Sequence, residues 1–374
     1  MILLNDFKRQ WADTRLGAIS AFSAIGESGH YVLGPEVRAF EEALAQYWGM
    51  ACAVGVASGL DAIEIALKAR GCKPGDRVLT TPLSAFATTL AIMKAGGVPV
   101  FVDTDRFGLI DLEHCRNALA ARRSRDGGLH FFVPVHLYGH ALDMRAMAAL
   151  RDEFDCCVIE DCAQSIGASH NGIGTGTVGQ MAAVSFYPTK NLGALGDGGA
   201  ILTGDERFAS IARMLRDYGQ SEKYRHDLVG YNSRLDELQA GLLRRVSLGK
   251  LTCWTESRRR IAAAYVAGIG NPGIQVPGAP AGSSSCWHLF PVLVNPDRKR
   301  DFMSWLKGRG IACAEHYPVP IPEQRALADV NFEVIGGIDA AQQICRSEVS
   351  LPVHPYLNDE EISQVIDACN AWKG

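Results

Sequence analysis

The sequence predicts an α/β fold: a mostly parallel sheet covered on both faces by helices, followed by a smaller α+β domain. Three observations predict it. Between residues 50 and 204, short β-rich apolar runs alternate with helical segments. The runs are apolar throughout, as strands buried on both faces are. A Pro-, Gly- and Ser-rich stretch, "GNPGIQVPGAPAGSSS" (270–285), then separates this region from a C-terminal part with its own strand and helix signals. The expected division is a large domain with an N-terminal arm, 1–249, and a small domain, 250–374.

In chain order, "CAVGVA" (52–57) leads into a helix opened by Ser58, and "RVLTTP" (77–82) into the helical "SAFATTLAIMKAG" (84–96). "VPVFVD" (98–103), "HFFVPVH" (130–136), a helix near 143–153, "CCVIED" (156–161), "AAVSFY" (182–187) and "AILTG" (200–204) follow. From Leu235 a long helical region begins, with Leu235, Leu238, Leu242 and Val246 on one stripe suited to packing on the large domain or a partner subunit. "WHLFPVLV", further helices and "VSLPVHPYL" build the small domain.

Composition narrows the function. The 374 residues are 47% hydrophobic and 21% charged, with a net charge of −4, as in an ordinary globular protein. The runs Arg122-Arg123-Ser124-Arg125 and Arg258-Arg259-Arg260 read as solvated helix faces, and no basic stripe with interleaved aromatics points to nucleic acid. The eleven cysteines include no C-x-x-C pair and no zinc-type spacing, so no metal is expected; they read as reduced, mostly buried thiols of a cytosolic protein. The opening "MILLNDFKRQW" lacks the apolar length of a signal peptide, and prolines break the longest charge-free stretch, so no membrane span is expected.

In an open parallel sheet, ligands bind beyond the carboxyl ends of the strands. Ser58-Gly59 follow the first strand and open a helix, where free N–H groups cap the helix or bind phosphate. "CCVIED" runs straight into Glu160 and Asp161, whose side chains must point to opposite faces, one toward the site and one tied elsewhere. In "SFYPTKNLGALGDGGAIL" (185–202), Lys190 follows a core strand and precedes crowded glycines. Each of these alone has an ordinary structural reading: a capping box, a loop acid, a surface lysine. Together with Ser185 they supply an imine-forming amine, an acid for a pyridinium nitrogen and phosphate ligands, the inventory of a pyridoxal phosphate site. "GTGTVG" (174–179) matches G-x-G-x-x-G but precedes a strand, so it reads as a turn and not as a dinucleotide site.

The chain resembles the pyridoxal-phosphate-dependent nucleotide-sugar aminotransferases of the DegT group. The similarity runs from "YVLGPEVRAFEEALAQY" (31–47) to "VSLPVHPYL" (349–357) and is strongest in "VIEDCAQSIGA" (158–168), "SFYPTKNLGALGDGGAI" (185–201) and "GYNSRLDELQAG" (230–241). The resemblance implies a fold type I transferase with a seven-stranded, mostly parallel large domain, and a homodimer with sites at the interface. By position it implies that Lys190 forms the Schiff base, Asp161 pairs with the pyridine nitrogen and Gln164 lies near the ring hydroxyl. Phe86 matches the aromatic that stacks on the ring. Ser185 and the Ser58-Gly59-Leu60 turn match phosphate ligands, and Asn232 matches a residue reaching the phosphate from the neighbouring subunit.

Two departures stand out. Leu60 replaces a usual hydroxyl residue, and Ala85 replaces a frequent threonine. A sister branch carries histidine in place of the lysine and dehydrates its substrate; Lys190 argues against that branch. The resemblance implies amino transfer from an amino acid, with glutamate expected, to a nucleotide-linked keto-sugar. "DYGQSEKYRHDLVGYNSRLDELQAG" (217–241) leans toward the branch that aminates C3 of a dTDP-linked 3-keto-6-deoxyhexose; a 4-keto sugar and a non-catalytic cofactor- or sugar-binding regulator are the alternatives. Tyr187, His316 and Tyr317 are candidate substrate contacts, the latter two also fitting ordinary small-domain packing.

Overall fold

The computed structural model describes residues 1–122 and 129–374; Arg123, Ser124 and Arg125 of the basic run lie outside them. The strands that matter here are β1 (Cys52–Val56), β2 (Arg77–Thr80), β3 (Val98–Val102), β4 (Leu129–Phe132), β5 (Cys157–Asp161), β6 (Met181–Ser185), β7 (Gly199–Thr203), β8 (Ile274–Gln275), β9 (Phe290–Val294), β10 (Glu333–Ile335) and β11 (Glu348–Leu351). The helices are α1 (Phe7–Ser28), α2 (Pro35–Trp48), α3 (Gly59–Ala69), α4 (Phe86–Lys94), α5 (Leu112–Arg122), α6 (Met144–Phe154), α7 (Glu206–Arg216), α8 (Glu237–Leu242), α9 (Leu248–Gly268), α10 (Lys299–Gly308), α11 (Asp339–Ser347) and α12 (Asp359–Asn370).

The large sheet has the order β1-β7-β6-β5-β4-β2-β3-β10. β7 runs antiparallel to β1 and β6, and the other adjacent pairs are parallel. Seven of its strands come from the region that the apolar runs marked. The eighth, β10, comes from the C-terminal part and pairs with β3, with Glu333 opposite Val100. Apolar side chains on the two faces of the sheet form separate buried layers. Val54, Ile65 and Ile159 belong to one, and Leu79, Val100 and Val158 to another.

The small unit is built on an antiparallel sheet, β8-β9-β11, whose core joins Phe290, Val292, Phe302 and Val365 to Ile261 and Tyr265 of α9. It is not one unbroken stretch. Ile2 belongs to the same core, and Leu251 near the start of α9 packs in the large unit. Residues of the β10–α11 segment, among them Ile338 and Ala341, pack against the large sheet. Sharing of the segment follows from β10, which carries it across to the edge of β3. On the expected leucine stripe, Leu235, Leu242 and Val246 are buried, whereas Leu238 is 42% exposed. The turns of α8 lead into a π-helical turn at Leu243–Ser247 before α9, which breaks the regular spacing.

Candidate active site

β5 and β6 are parallel neighbours, with Asp161 opposite Ala183, so both deliver their carboxyl ends to the same edge of the sheet. The N-terminus of α3 reaches that edge too. A cavity of about 250 Å³ opens there, and its wall contains Ser58, Gly59, Leu60, Asp161, Ser185 and Lys190. Gln164 and Tyr187 complete the set of expected residues on the wall.

The two acids of β5 part company. Asp161 faces the cavity and is 4% exposed; its Oδ1 accepts from the Ala163 N–H at 3.0 Å and its Oδ2 from the Thr88 hydroxyl at 2.8 Å. Burial pushes its pKa above the ordinary carboxylate range; the two hydrogen bonds and the charge of Lys190 act the other way. Glu160 points to the opposite face. Its carboxylate accepts from the backbone N–H groups of Gly176, Val178 and Gly179 and lies 2.9 Å from His136 Nε2. The glycines of "GTGTVG" are thus used to fold a loop around a buried carboxylate. His136, Glu160 and Cys162 lie close enough to suggest a metal cluster. However, Glu160 is already saturated by donors, and His136 Nδ1 accepts from the Leu142 N–H at 3.2 Å.

Lys190 sits in the turn after β6, its N–H donating to the Tyr187 carbonyl at 2.8 Å. Among the described residues no atom accepts a hydrogen bond from its ammonium. Burial lowers its pKa to about 8, with the charge of Asp161 opposing. Close backbone approaches make room for this turn. A Cβ on Gly199 would lie 2.4 Å from the Ser58 carbonyl carbon, and one on Gly193 2.5 Å from the Pro188 oxygen.

Ser58 caps α3, its Oγ accepting from the Asp61 N–H at 3.1 Å. The N–H groups of Gly59 and Leu60 occupy the first helical positions, where no intrahelical acceptor exists. Gly59 is pressed against Ser185, and a Cβ there would stand 2.6 Å from Ser185 Cβ. Ser185 Oγ accepts from the Tyr187 N–H at 3.3 Å, leaving its own proton to donate. Gln164 bridges two segments: its Oε1 accepts from the Tyr138 N–H at 2.8 Å and its Nε2 donates to the Tyr317 hydroxyl at 3.1 Å.

Four expected residues are not part of this wall; one of them, Tyr317, meets it through its bond from Gln164. Phe86 begins α4 and packs beside Phe101, Ile321 and Leu327, and the wall at that point is made by Ala85, Ala87 and Thr88. Asn232 is exposed and accepts from Arg234 Nη2 at 2.7 Å. His316 lies beyond the wall, near enough for the Lys190 charge, after burial, to help lower its pKa to about 4. Thr88 was not foreseen. It holds Asp161 through one hydroxyl, and a threonine inside a helical run gives no sign of that partner. Asp197, which also lines the cavity, was likewise missed among the glycines around it.

The donor set fits pyridoxal phosphate: an unengaged, partly deprotonated amine, a buried carboxylate with spare acceptor capacity, and helix-terminal N–H groups beside a serine hydroxyl. The comparisons agree. A "dTDP-3-amino-3,4,6-trideoxy-alpha-D-glucose transaminase" of Streptomyces venezuelae is 39% identical over 98% of this chain and 95% of its own. The S. venezuelae DesV structure in complex with a ketimine intermediate superposes with a TM-score of 0.93 at 38% identity, covering 99% of this chain and 98% of that one. NtdA from Bacillus subtilis, solved with bound cofactor PMP, gives a TM-score of 0.85 at 27% identity over 96% of this chain and 81% of that one. The family model described as the DegT/DnrJ/EryC1/StrS aminotransferase family matches residues 15–370. With the lysine, the acid and the helix terminus gathered at one sheet edge, the chain belongs to that family and is a pyridoxal-phosphate-dependent nucleotide-sugar aminotransferase.

Proposed function

We propose that the protein transfers an amino group from L-glutamate to C3 of a dTDP-linked 3-keto-6-deoxyhexose, with Lys190 and Asp161 carrying the chemistry. The observation behind the reading is that these two side chains, 29 positions apart in sequence, share one cavity at the carboxyl ends of β5 and β6. The name of the S. venezuelae relative supports the choice of nucleotide and of C3.

Pyridoxal phosphate supplies an aldehyde that takes up an amine and a ring that withdraws electrons from the neighbouring carbon. Lys190 would be the amine for that aldehyde and, as the free amine, would move the proton at the donor's α-carbon as base and then as acid. Its pKa of about 8 leaves a useful fraction of free amine near neutrality. Asp161, kept in place by Thr88 and Ala163, holds a proton on the ring nitrogen by remaining the anion beside it. Ser58, Ser185 and the N–H groups of Gly59 and Leu60 hold the phosphate; the backbone of Leu60 serves where its side chain cannot. Gln164 would orient the ring hydroxyl; Phe86, the residue matched to ring stacking, packs instead beside Ile321 and Leu327, so Ala85, Ala87 and Thr88 would flank the ring. Tyr187, His316 and Tyr317 face the sugar.

The active unit is a homodimer. Asn232 reaches the other subunit's phosphate from a surface rich in exposed apolar groups, among them Tyr224 (83% exposed) and Val229 (96%). Among the described residues no helix is long and apolar enough to cross a membrane, and eleven free cysteines suit a cytoplasmic location.

Purified protein should carry a yellow absorption band that L-glutamate discharges and a 2-oxo acid restores. Borohydride should fix the cofactor to the wild type and not to Lys190→Ala; fixation in that variant would remove Lys190 from its role. A panel of dTDP-, UDP- and GDP-linked 3-keto and 4-keto hexoses decides the acceptor, and turnover only with a 4-keto sugar would overturn the C3 assignment.

A further inference from the structure

Behind His316 lies a buried hydrogen-bond chain that the proposed chemistry does not use. Glu348 and Ser350 alternate on β11, so both side chains face the segment that bridges at Ala314. Both residues are fully buried. The His316 N–H donates to Glu348 Oε2 at 2.6 Å. Ser350 Oγ stands 2.5 Å from Glu348 Oε1 and 2.9 Å from His316 Nδ1. The Tyr138 hydroxyl donates to the His316 carbonyl at 2.5 Å, fixing the segment from the other side.

A serine hydroxyl has one proton to give. With Glu348 ionised, that proton goes to Oε1, so Nδ1 must donate to Ser350, and Nε2 is left as a bare acceptor. With a proton on Oε1, the direction of the chain reverses. Glu348 donates to Ser350, Ser350 donates to Nδ1, and the ring proton resides on Nε2.

We infer that Glu348, acting through Ser350, is a positioning residue that sets which nitrogen of His316 carries the proton. His316 thereby offers the Lys190 side of the site an acceptor when Glu348 is ionised and a donor when it is protonated. Among the described residues no protein atom bonds to His316 Nε2. Burial and the Lys190 charge hold the His316 pKa at about 4, so the ring stays neutral and only its tautomer changes. Burial raises Glu348 to about 7, opposed by its bonds from Ser350 and His316 and by Lys299, with Glu315 adding to the rise. Lys299, on α10, is itself paired with Glu315 at 2.6 Å. The other titratable groups near Glu348 are Tyr138, Tyr317, Cys313 and Cys345, each pushed upward by burial and so kept neutral.

The test is the tautomer of His316, read by ¹⁵N NMR on histidine-labelled, cofactor-loaded protein, with His316→Gln used to assign its signal. Glu348→Gln is nearly isosteric and mimics the protonated acid, its amide donating to Ser350. Wild type should carry the proton on Nδ1 at pH 8.5 and on Nε2 at pH 5.5, and Glu348→Gln on Nε2 at both. An unchanged wild-type tautomer across this range, or a Glu348→Gln signal like that of wild type at pH 8.5, overturns the inference. Should Glu348→Gln not fold, Ser350→Ala serves: it cuts the chain, and a pH-dependent tautomer surviving in it overturns the inference equally. A kinetic arm rests on the aminotransferase reading above. The limb of kcat/KM near pH 7 should vanish in Glu348→Gln, with about a tenfold loss at pH 8.5, the worth of one hydrogen bond. The NMR arm needs no substrate, so a tautomer shift without sugar amination would count against the functional reading alone.

Discussion

Glu160 and Asp161 are consecutive carboxylates on one strand, both buried, and they differ in the donors around them. Glu160 has three backbone N–H groups and a histidine. Asp161 has one N–H and one hydroxyl. A fully supplied carboxylate stabilises the fold around it. An undersupplied one costs stability and keeps acceptor capacity for a cation brought by a ligand. On the proposed assignment, the same strand serves the fold on one face and the chemistry on the other.

Substitution separates the two faces. Asp161→Ala should lower kcat/KM for amination about 10³-fold while leaving the melting temperature of cofactor-free protein unchanged or higher; a fall in stability with activity retained would reverse the assignment of faces. Glu160→Ala should do the opposite. Three buried N–H groups lose their acceptor, and a loss of about 3 kcal/mol is expected by urea denaturation, with the residual folded enzyme still active.

Lys190 sharpens the comparison through pH. Its folded pKa of about 8 lies below the ordinary 10.5, so folding expels a proton between these values. The cofactor-free protein loses stability as pH falls from 10.5 to 8, and the penalty is complete below 8. Cofactor-free Lys190→Met should then be more stable than wild type at pH 7, on the order of 1–3 kcal/mol, with the gap closing above pH 10. A gap independent of pH would mean that packing, and not charge, makes the difference. Smallest is the effect of Ser58→Ala, about 1 kcal/mol from the lost cap of α3, seen as a lower melting temperature together with weaker cofactor retention. A change in only one of the two would separate the capping role from the phosphate role.

Much of this was legible in the sequence, because strands buried on both faces leave unbroken apolar runs and such sheets bind ligands at their carboxyl ends. The rule located Asp161 and Lys190, and alternation along a strand required Glu160 to face away from Asp161. Partners set by tertiary contact were not legible. Thr88 meets Asp161 across 73 positions, and nothing in "SAFATT" marks it. Phe86 packs against Ile321 and Leu327, residues of a segment more than 230 positions away. The Glu348–Ser350–His316 chain depends on how β11 lies against residues 314–316, which no local pattern encodes. β10 was missed because three residues, two of them partly buried and Val334 41% exposed, carry almost no hydrophobic period.

That short strand bears on how the protein is made. The ribosome delivers seven strands of the large sheet by residue 203, yet the flank of β3 stays open until Glu333–Ile335 emerge. A nascent chain thus displays an unpaired edge for much of its synthesis, the kind of surface that recruits chaperones or other nascent chains. Arg77, on β2, holds Glu333 at 2.6 Å once the strand arrives, so an ion pair latches the last piece of the sheet.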